Sequence, residues 1–238
     1  MTDPAALRAR LADVRDRIAR AAGRAGRDPA SIRLVAISKT FSVDHIRAAA
    51  DCGQIDFGEN RVQEALDKMD QTADLAIRWH LVGHLQSNKA RKAGARFDVV
   101  HSVHEPAVAV RLDEGAQGRS RPLELLAQVD LAGEPTKHGA RTESLPGIFD
   151  AARDFQAARL VGLMLLPPAV DDPEQARPYF RAVRALRDEL AARGVPASML
   201  GELSMGMSHD FEVAVEEGAT LVRVGTAIFG SRRPGSDV

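Results

Sequence analysis

Apolar residues in this chain fall into short runs that alternate with stretches of helical spacing. The first such stretch follows Pro4, a residue that is favoured at the first position of a helix, and ends before Gly23. Its apolar residues recur every three or four positions, at Leu7, Leu11, Val14 and Ile18. This spacing predicts an amphipathic helix over about residues 3–22.

Eight short apolar runs predict strands. They lie at Ile32–Ser38, near Ile55–Phe57, near Trp79–Val82, near Val99–Val103, at LELLAQVD, at RLVGLMLL, near Met199–Leu203 and at TLVRVG. A helical pattern follows each of the first seven runs. The strands and helices therefore alternate along almost the whole chain.

Strands of this kind, apolar on both faces and separated by helices, are typical of a parallel sheet that is covered on both sides. Eight such units in 238 residues favour a closed (β/α)8 barrel over an open doubly wound sheet, although the pattern alone allows both. We find no linker, internal repeat or low-complexity segment. The sequence predicts one α/β domain over residues 1–238, with the barrel at about 32–230 and an extra N-terminal helix.

Composition narrows the functional classes. The chain is 45% hydrophobic, and its 32 basic and 33 acidic residues give a formal charge of −1. This balance provides no general attraction for a nucleic acid or an anionic membrane, so we expect neither partner. A single cysteine, Cys52, excludes an internal disulfide, and the N-terminal segment resembles neither a signal peptide nor a membrane span. We expect a soluble cytoplasmic protein.

One lysine stands where barrel enzymes have their active sites. Active sites of such barrels lie at the carboxyl ends of the strands, and Lys39 directly follows the first apolar run. The other four lysines stand elsewhere: Lys68, Lys89 and Lys92 on charge-rich helical stretches, and Lys137 in the polar loop GEPTKHG. Lys39 is therefore the candidate reactive amine, although a lysine is more often a solvated surface residue.

Polar residues also follow the second and third strands. The segment FGENRVQE brings Glu59 and Asn60 into a turn, where Asn60 could equally cap the next helix. The segment WHLVGHLQSNK contains His80 and His84, but residues four apart share one face only on a helix. Because this segment is predicted to pass from strand to loop, we expect no metal site.

The last two units carry a stronger signal, which indicates an anion site. Ser204, Gly206 and Ser208 are predicted between a strand and a helix, and Gly225 and Thr226 follow the final strand. Glycines allow backbone N–H groups to approach an anion closely, and hydroxyl groups add donors. Since the loops after strands seven and eight form the usual phosphate site of barrel enzymes, these residues predict a phosphate site.

A lysine that faces a phosphate site suggests pyridoxal phosphate, a cofactor whose aldehyde forms an imine with an amine. Arg223 stands two residues before Gly225, so both residues can face the barrel interior and Arg223 can meet the ring nitrogen of the cofactor. An arginine cannot accept the proton of that nitrogen. It would therefore weaken the ring as an electron sink.

The motifs together resemble those of the pyridoxal phosphate homeostasis proteins, which are similar to the barrel half of alanine racemase. The matching segments are LVAISKT, FGENRVQE, WHLVGHLQSNK, EPTKHG, VGLMLLP, LSMGMSHD and VRVGTAIFG. The resemblance implies that Lys39 carries pyridoxal 5'-phosphate as an imine and that Arg223 meets its ring nitrogen. It assigns the phosphate to Ser204, Gly225 and Thr226, and the remaining pocket wall to Asn60, His80 and Met164.

The resemblance has gaps at the secondary lysines. Family members often have another basic residue or a proline after Ser-Lys-Thr, whereas this chain has Phe41 and Ser42. The C-terminal segment SRRPGSDV also contains no lysine. If the cofactor is handed over through a second lysine, Lys137 is the remaining candidate.

The resemblance implies a carrier that holds pyridoxal phosphate and supplies it to apo-enzymes, without catalytic turnover. The first alternative is an amino-acid racemase, but the single tyrosine, Tyr179, lies in a predicted exterior helix and no second domain is predicted. Without that domain we expect a monomer. The second alternative is an aldolase-type barrel with Lys39 as its Schiff-base lysine, which would bind its substrate without a visible chromophore.

Overall fold

Eight parallel strands close into a barrel in the computed structural model, which describes residues 3–133 and 138–230. Each strand pairs with the next one along the chain, and β8 pairs with β1, so the sheet has no free edge. The strands are β1 Arg33–Ile37, β2 Asp56–Glu59, β3 Arg78–Leu81, β4 Val99–Val103, β5 Leu123–Val129, β6 Ala158–Leu165, β7 Glu202–Met207 and β8 Leu221–Val224. The predicted (β/α)8 barrel is confirmed, and the open sheet is excluded.

Helices cover the outside of the barrel. They are α1 Pro4–Arg24, α2 Val43–Ala50, α3 Val62–Gln71, α4 Ala90–Arg96, α5 Pro106–Ala116, α6 Leu145–Ala151, α7 Arg177–Ala192, α8 Phe211–Glu216 and α9 Thr226–Phe229. In the part of the chain that the structure describes, none of them is both long enough and apolar enough to cross a membrane.

The extra helix α1 begins at Pro4 because Asp3 caps it, its carboxylate accepting hydrogen bonds from the backbone N–H groups of Ala5 and Ala6. Its apolar face is buried at the four residues that the spacing predicted, and it packs on α2, α8 and α9. Each large side chain that is fully buried in this way stabilises the fold by about 1.5–3 kcal/mol. The helix is therefore an integral part of the barrel wall.

Alternation along the strands separates two apolar regions. Residues such as Phe57, Trp79 and Val222 point outward and pack under the helices. Their neighbours point inward, where a smaller cluster fills part of the barrel: Val35, Ile37, Val82, Val99, Leu126, Met164 and Leu221. Other inward positions of the strands carry buried polar residues, among them His80, His101, Ser204 and Arg223.

One strand is displaced from its predicted position, and β2 continues through Glu59, which the sequence pattern predicted in the following turn. The predicted run near Met199–Leu203 is displaced, because β7 spans Glu202–Met207 and Met199 belongs to a short 3-10 turn. Gly206 has a φ of +91°, and the pairing register of β7 and β8 shifts between Ser204 and Met207. A glycine in the left-handed region allows this bulge, so the strand continues through a segment whose composition resembles a loop.

Candidate functional site

Lys39 lies at the mouth of the barrel, two residues beyond the end of β1. Its side chain is half-buried, and its neighbours hold the backbone on both sides. The N–H of Ser38 donates to the carbonyl of Gly58 at 3.0 Å, which continues the pairing with β2. The N–H of Thr40 donates to a carboxylate oxygen of Glu64 at 2.6 Å, and Thr40 has a φ of +68°. The backbone around Lys39 is thus fixed by contacts to β2 and α3.

A buried ionic cluster under α3 completes this support. Lys68 donates to Glu59 and Glu64 at 2.7 Å each and to the carbonyl of Ser38 at 2.8 Å. The hydroxyl of Ser38 donates to the same oxygen of Glu59 at 2.6 Å. Burial raises the pKa of Glu59 although Lys68 opposes the shift. We call Lys68, Glu59, Glu64 and Ser38 the exterior ion cluster.

The turns after β2 and β3 touch at the next part of the mouth. A Cβ atom at Gly83 would lie 2.3 Å from the carbonyl oxygen of Asn60, so only a glycine permits this approach. His84 lies in the same turn, and its ring stacks on His138 at 4.1 Å between centroids and lies 5.0 Å from His104. His84 is therefore separated from His80, which lies inside β3.

The predicted anion site lies across the mouth, at the end of β8. The hydroxyl of Ser208 accepts hydrogen bonds from the backbone N–H groups of Gly225 at 3.1 Å and Ala227 at 3.4 Å. Thr226 is exposed beside them. Two backbone donors and a rotatable hydroxyl thus meet beside Thr226, and groups of these kinds are suitable for binding a phosphate.

Ser204 is not part of this group. It lies inside β7 and not between a strand and a helix as predicted, since the strand runs on to Met207. The residue is 1% exposed, and its hydroxyl accepts a hydrogen bond from Arg223 at 2.6 Å and is 2.8 Å from a ring nitrogen of His101. Both contacts are internal to the barrel, so Ser208, and not Ser204, is the hydroxyl that accompanies Gly225 and Thr226.

Arg223 lies below the mouth and is buried in the barrel. Besides Ser204, it donates to the carbonyl of Leu165 at 2.9 Å. Burial lowers the pKa of Arg223 to about 10, so the side chain stays charged at neutral pH. Its strand pairs with β1, with Arg223 opposite Val35, and Gly225 contacts Ile37, two residues before Lys39. The barrel therefore brings the predicted lysine and arginine to the same side.

Two further predicted residues are fully buried in the interior. Met164 belongs to the inward apolar cluster, and His80 bonds through both ring nitrogens to Asp56 and His101. Sequence reasoning missed Asp56 and His101. The available signal was a polar residue at an inward position of an otherwise apolar strand. Lys137, the candidate for a second lysine, lies outside the described residues.

Chemically, this mouth combines an amine, a group of donors for an anion and a buried cation. The sequence profile of the family described as "Alanine racemase, N-terminal domain" matches residues 9–233. The chain is 42% identical to the pyridoxal phosphate homeostasis protein of Aquifex aeolicus, over 94% of this chain and 97% of that one. It is also 42% identical to the protein of the same name from Pseudomonas aeruginosa, over 95% and 96%.

A solved structure agrees with these sequence comparisons. PipY of Synechococcus elongatus, determined with PLP bound, superposes with a TM-score of 0.82 at 40% identity, over 94% of this chain and all of that one. The chain therefore belongs to the family of the alanine racemase N-terminal domain and, within it, to the pyridoxal phosphate homeostasis proteins.

Proposed function

We propose that this protein binds pyridoxal phosphate as an imine on Lys39 and serves as a carrier that supplies the cofactor to apo-enzymes in the cytoplasm. The observation that carries the proposal is the arrangement of Lys39 and the Gly225–Thr226 donors at one mouth, in a chain whose relatives are named for this cofactor. The carrier is a single-domain monomer in this proposal. It has no catalytic turnover.

The residues present fit the cofactor. Its phosphate needs donors and little bulk, and Gly225 packs closely on β1, where an added Cβ atom would lie 3.3 Å from the carbonyl oxygen of Ile37. We propose that Gly225, Thr226 and Ser208 bind the phosphate, with Ser208 in the place first predicted for Ser204. Asn60 borders the mouth from the turn after β2, while Met164 and His80 lie in the interior beneath it.

The chemistry that the cofactor supplies is a reversible condensation. The amine of Lys39 would add to the aldehyde of the bound cofactor, with the release of one water. While it is bound in this way, the aldehyde cannot react with amines elsewhere. Water would reverse the step, whereas an incoming amine would form its own imine with the aldehyde carbon and free Lys39, so no oxidant is required.

Arg223 supports a carrier more than a carbanion enzyme. With a pKa of about 10 it remains a donor at neutral pH, and it has no lone pair to accept a proton from a ring nitrogen. The cofactor ring would then stay unprotonated and withdraw electrons weakly. This favours storage of the aldehyde over bond cleavage at a bound amino acid.

The racemase alternative draws support from the barrel fold itself. Racemization requires an acid–base group on each face of the cofactor. Tyr179 lies on α7 and packs against the apolar layer outside the barrel, so it does not reach the mouth. Sustained interconversion of L- and D-alanine by the loaded protein, measured by chiral chromatography, would overturn the carrier proposal.

Borohydride reduction tests the imine directly. The loaded protein is reduced, digested and mapped by mass spectrometry, and we expect the pyridoxyl label on the peptide that contains Lys39. The variant Lys39→Ala should lose the visible absorbance, whereas Lys89→Ala, which changes an exposed lysine, should retain it. Label on another lysine, or full absorbance in Lys39→Ala, would refute the assignment. Binding with no chromophore would favour the aldolase-type alternative.

Supply to apo-enzymes requires a separate measurement. The loaded protein is mixed with an apo-aminotransferase, and the recovered activity is compared with that obtained from an equal amount of free cofactor. We expect the loaded protein to restore activity, because imine exchange allows the cofactor to pass from Lys39 to the lysine of the apo-enzyme. The variant Lys137→Ala then tests whether the second lysine speeds the transfer. No recovery with the wild-type protein would contradict the supply role.

A further inference from the structure

A chain of five polar side chains crosses the barrel interior. Asp56 bonds to His80 at 2.9 Å, His80 to His101 at 2.9 Å, His101 to Ser204 at 2.8 Å and Ser204 to Arg223 at 2.6 Å. The five residues come from β2, β3, β4, β7 and β8. We call them the interior relay.

The two ends of the interior relay lie in different surroundings. Asp56 is at the start of β2, its side chain is 13% exposed, and it borders a cavity of about 400 Å³ at the amino ends of the strands. Arg223 is 4% exposed and lies toward the mouth. The relay therefore connects the solvent side of one barrel end with the buried cation below the candidate site.

Burial and nearby charges together determine the protonation states of the relay residues at neutral pH. Burial lowers the pKa of both His80 and His101, so both rings are neutral. Burial opposes ionisation of Asp56, but the hydrogen bond from His80 and the charges of Arg78 and Arg33 outweigh it, and the pKa of Asp56 is lowered. Asp210 is the acidic residue whose charge acts on Arg223.

Neutral rings leave only one arrangement of the protons. The Asp56 carboxylate is an acceptor, so His80 donates through Nε2 and must accept through Nδ1. His101 then donates through Nε2 and accepts through Nδ1. The acceptor at Nδ1 requires the Ser204 hydroxyl to donate, which leaves the lone pairs of that oxygen for Arg223. Each proton of the chain therefore points toward Asp56.

We propose that Asp56, His80, His101 and Ser204 are positioning residues that orient Arg223 toward the cofactor ring. Two fixed acceptors, Ser204 and the carbonyl of Leu165, define the plane of the guanidinium. The relay fixes the first acceptor, because a Ser204 hydroxyl that donates to His101 cannot rotate away. Orientation toward the ring rests on the proposed function, whereas the proton order belongs to the protein alone.

NMR of the apo-protein tests the proton order without any cofactor. Long-range 1H–15N spectra distinguish protonated from unprotonated imidazole nitrogens, and His80→Gln and His101→Gln assign the two rings. At neutral pH we expect both rings to carry their proton on Nε2 and to accept at Nδ1. A proton on Nδ1 of His101, or a doubly protonated His80, would overturn the proposal.

Cofactor binding tests the positioning role. His101→Phe removes both hydrogen bonds of the ring, and we expect pyridoxal phosphate to bind at least roughly tenfold more weakly, with a shifted absorbance maximum. His101→Gln retains one donor and one acceptor and should recover most of the affinity. Unchanged affinity and spectrum in His101→Phe would refute the role.

Ser102→Ala is the matched control. Ser102 is the next residue of β4, equally buried, but its hydroxyl makes no hydrogen bond. Its removal should leave affinity and spectrum unchanged, and an equal loss in this variant would show that any cavity in β4 has the same effect. Ser204→Ala, a smaller change at the same relay, serves if His101→Phe does not fold. If the wild-type protein binds no cofactor, the proposed function fails while the NMR result stands.

Discussion

Two basic residues lie on the same side of the barrel, Lys39 at the mouth and Arg223 below it, and the barrel supports them in opposite ways. Around Lys39 the support is ionic, lies outside the sheet and acts on the backbone, through the exterior ion cluster of Lys68, Glu59, Glu64 and Ser38. Around Arg223 the direct support is neutral, lies inside the barrel and acts on the side chain, through Ser204 and the Leu165 carbonyl. A reactive amine requires a fixed anchor point, whereas a donor that meets a ring requires a fixed orientation.

The two arrangements differ in their energetics. A buried ion pair is strongly destabilised when one partner is removed, because the other charge stays buried without compensation. A buried cation that is bonded to neutral acceptors has already lost its hydration. Its removal therefore relieves the desolvation penalty of the charge, and this gain offsets the loss of its hydrogen bonds. The fold should therefore depend on Lys68 far more than on Arg223.

The largest expected effect is that of Lys68→Met. The substitution keeps the apolar stem but leaves Glu59 buried beside Glu64 with no cation, so we expect a loss of about 3–5 kcal/mol in the free energy of unfolding, measured with urea. The double variant Lys68→Met/Glu59→Gln should recover at least half of this loss, since it removes the buried charge. Lys92→Met, on an exposed position of α4, should change stability by less than about 0.5 kcal/mol. A loss below about 1 kcal/mol in Lys68→Met would contradict the ionic account.

Gly206→Ala comes next and tests the bulge that places Ser204 inside the barrel. An alanine here would have to keep the backbone φ of +91°, and its Cβ would lie 2.6 Å from the Cβ of Ala214. We therefore expect a loss of about 2–4 kcal/mol in the free energy of unfolding. Gly118→Ala is the matched control, because φ is +81° there but no atom lies within 4 Å of the added Cβ. It should lose only about 1 kcal/mol. Equal losses in the two variants would mean that steric overlap at the bulge contributes nothing.

Arg223→Met provides the direct contrast with Lys68→Met. We expect the free energy of unfolding to stay within about 1 kcal/mol of the wild-type value, since the lost hydrogen bonds are offset by removal of a buried charge. Cofactor affinity should fall even so, because the oriented donor is gone. A loss of stability above about 3 kcal/mol would mean that the neutral acceptors stabilise Arg223 as effectively as carboxylates stabilise Lys68.

Much of the fold followed from the sequence because the signal is local. Short apolar runs and helical spacing predicted the eight strands and the extra helix, and each pattern is set by residues within one element. The exception, β7, contains Ser204 and Gly206, whose composition resembles a loop. Its continuation depends on contacts of Gly206 with Phe211 and Ala214 in α8, which a local pattern does not record.

The candidate site was predictable where one residue type at a strand end carries the chemistry. Lys39 and Gly225 belong to this class, and Arg223 followed from its alternation with Gly225. The interior relay was not predicted, because its bonded pairs are far apart in the sequence. Asp56 and His80 are 24 residues apart, His80 and His101 are 21 apart, and His101 and Ser204 are 103 apart. Lys68 was assigned to a charge-rich helix, yet it is buried, since its partner Glu59 comes from a strand.

The smallest effects, on the pH dependence of stability, distinguish the two regions by sign. The pKa of Glu59 is raised from its ordinary 4.5, so the folded protein binds the proton of this carboxyl more tightly than the unfolded chain does. The stability that results is complete below pH 4.5 and is lost as pH rises through the pKa of Glu59 in the folded protein. The pKa of Asp56 is lowered from 3.8, so its contribution is complete above pH 3.8 and lost as pH falls through the folded-state value. Urea unfolding from about pH 3 to about pH 7 compares the variants. As pH rises, the free energy of unfolding of Glu59→Gln should increase relative to that of the wild-type protein, and that of Asp56→Asn should decrease relative to it. Parallel pH profiles for the two variants would mean that the exterior ion cluster and the interior relay hold their carboxylates in equivalent environments.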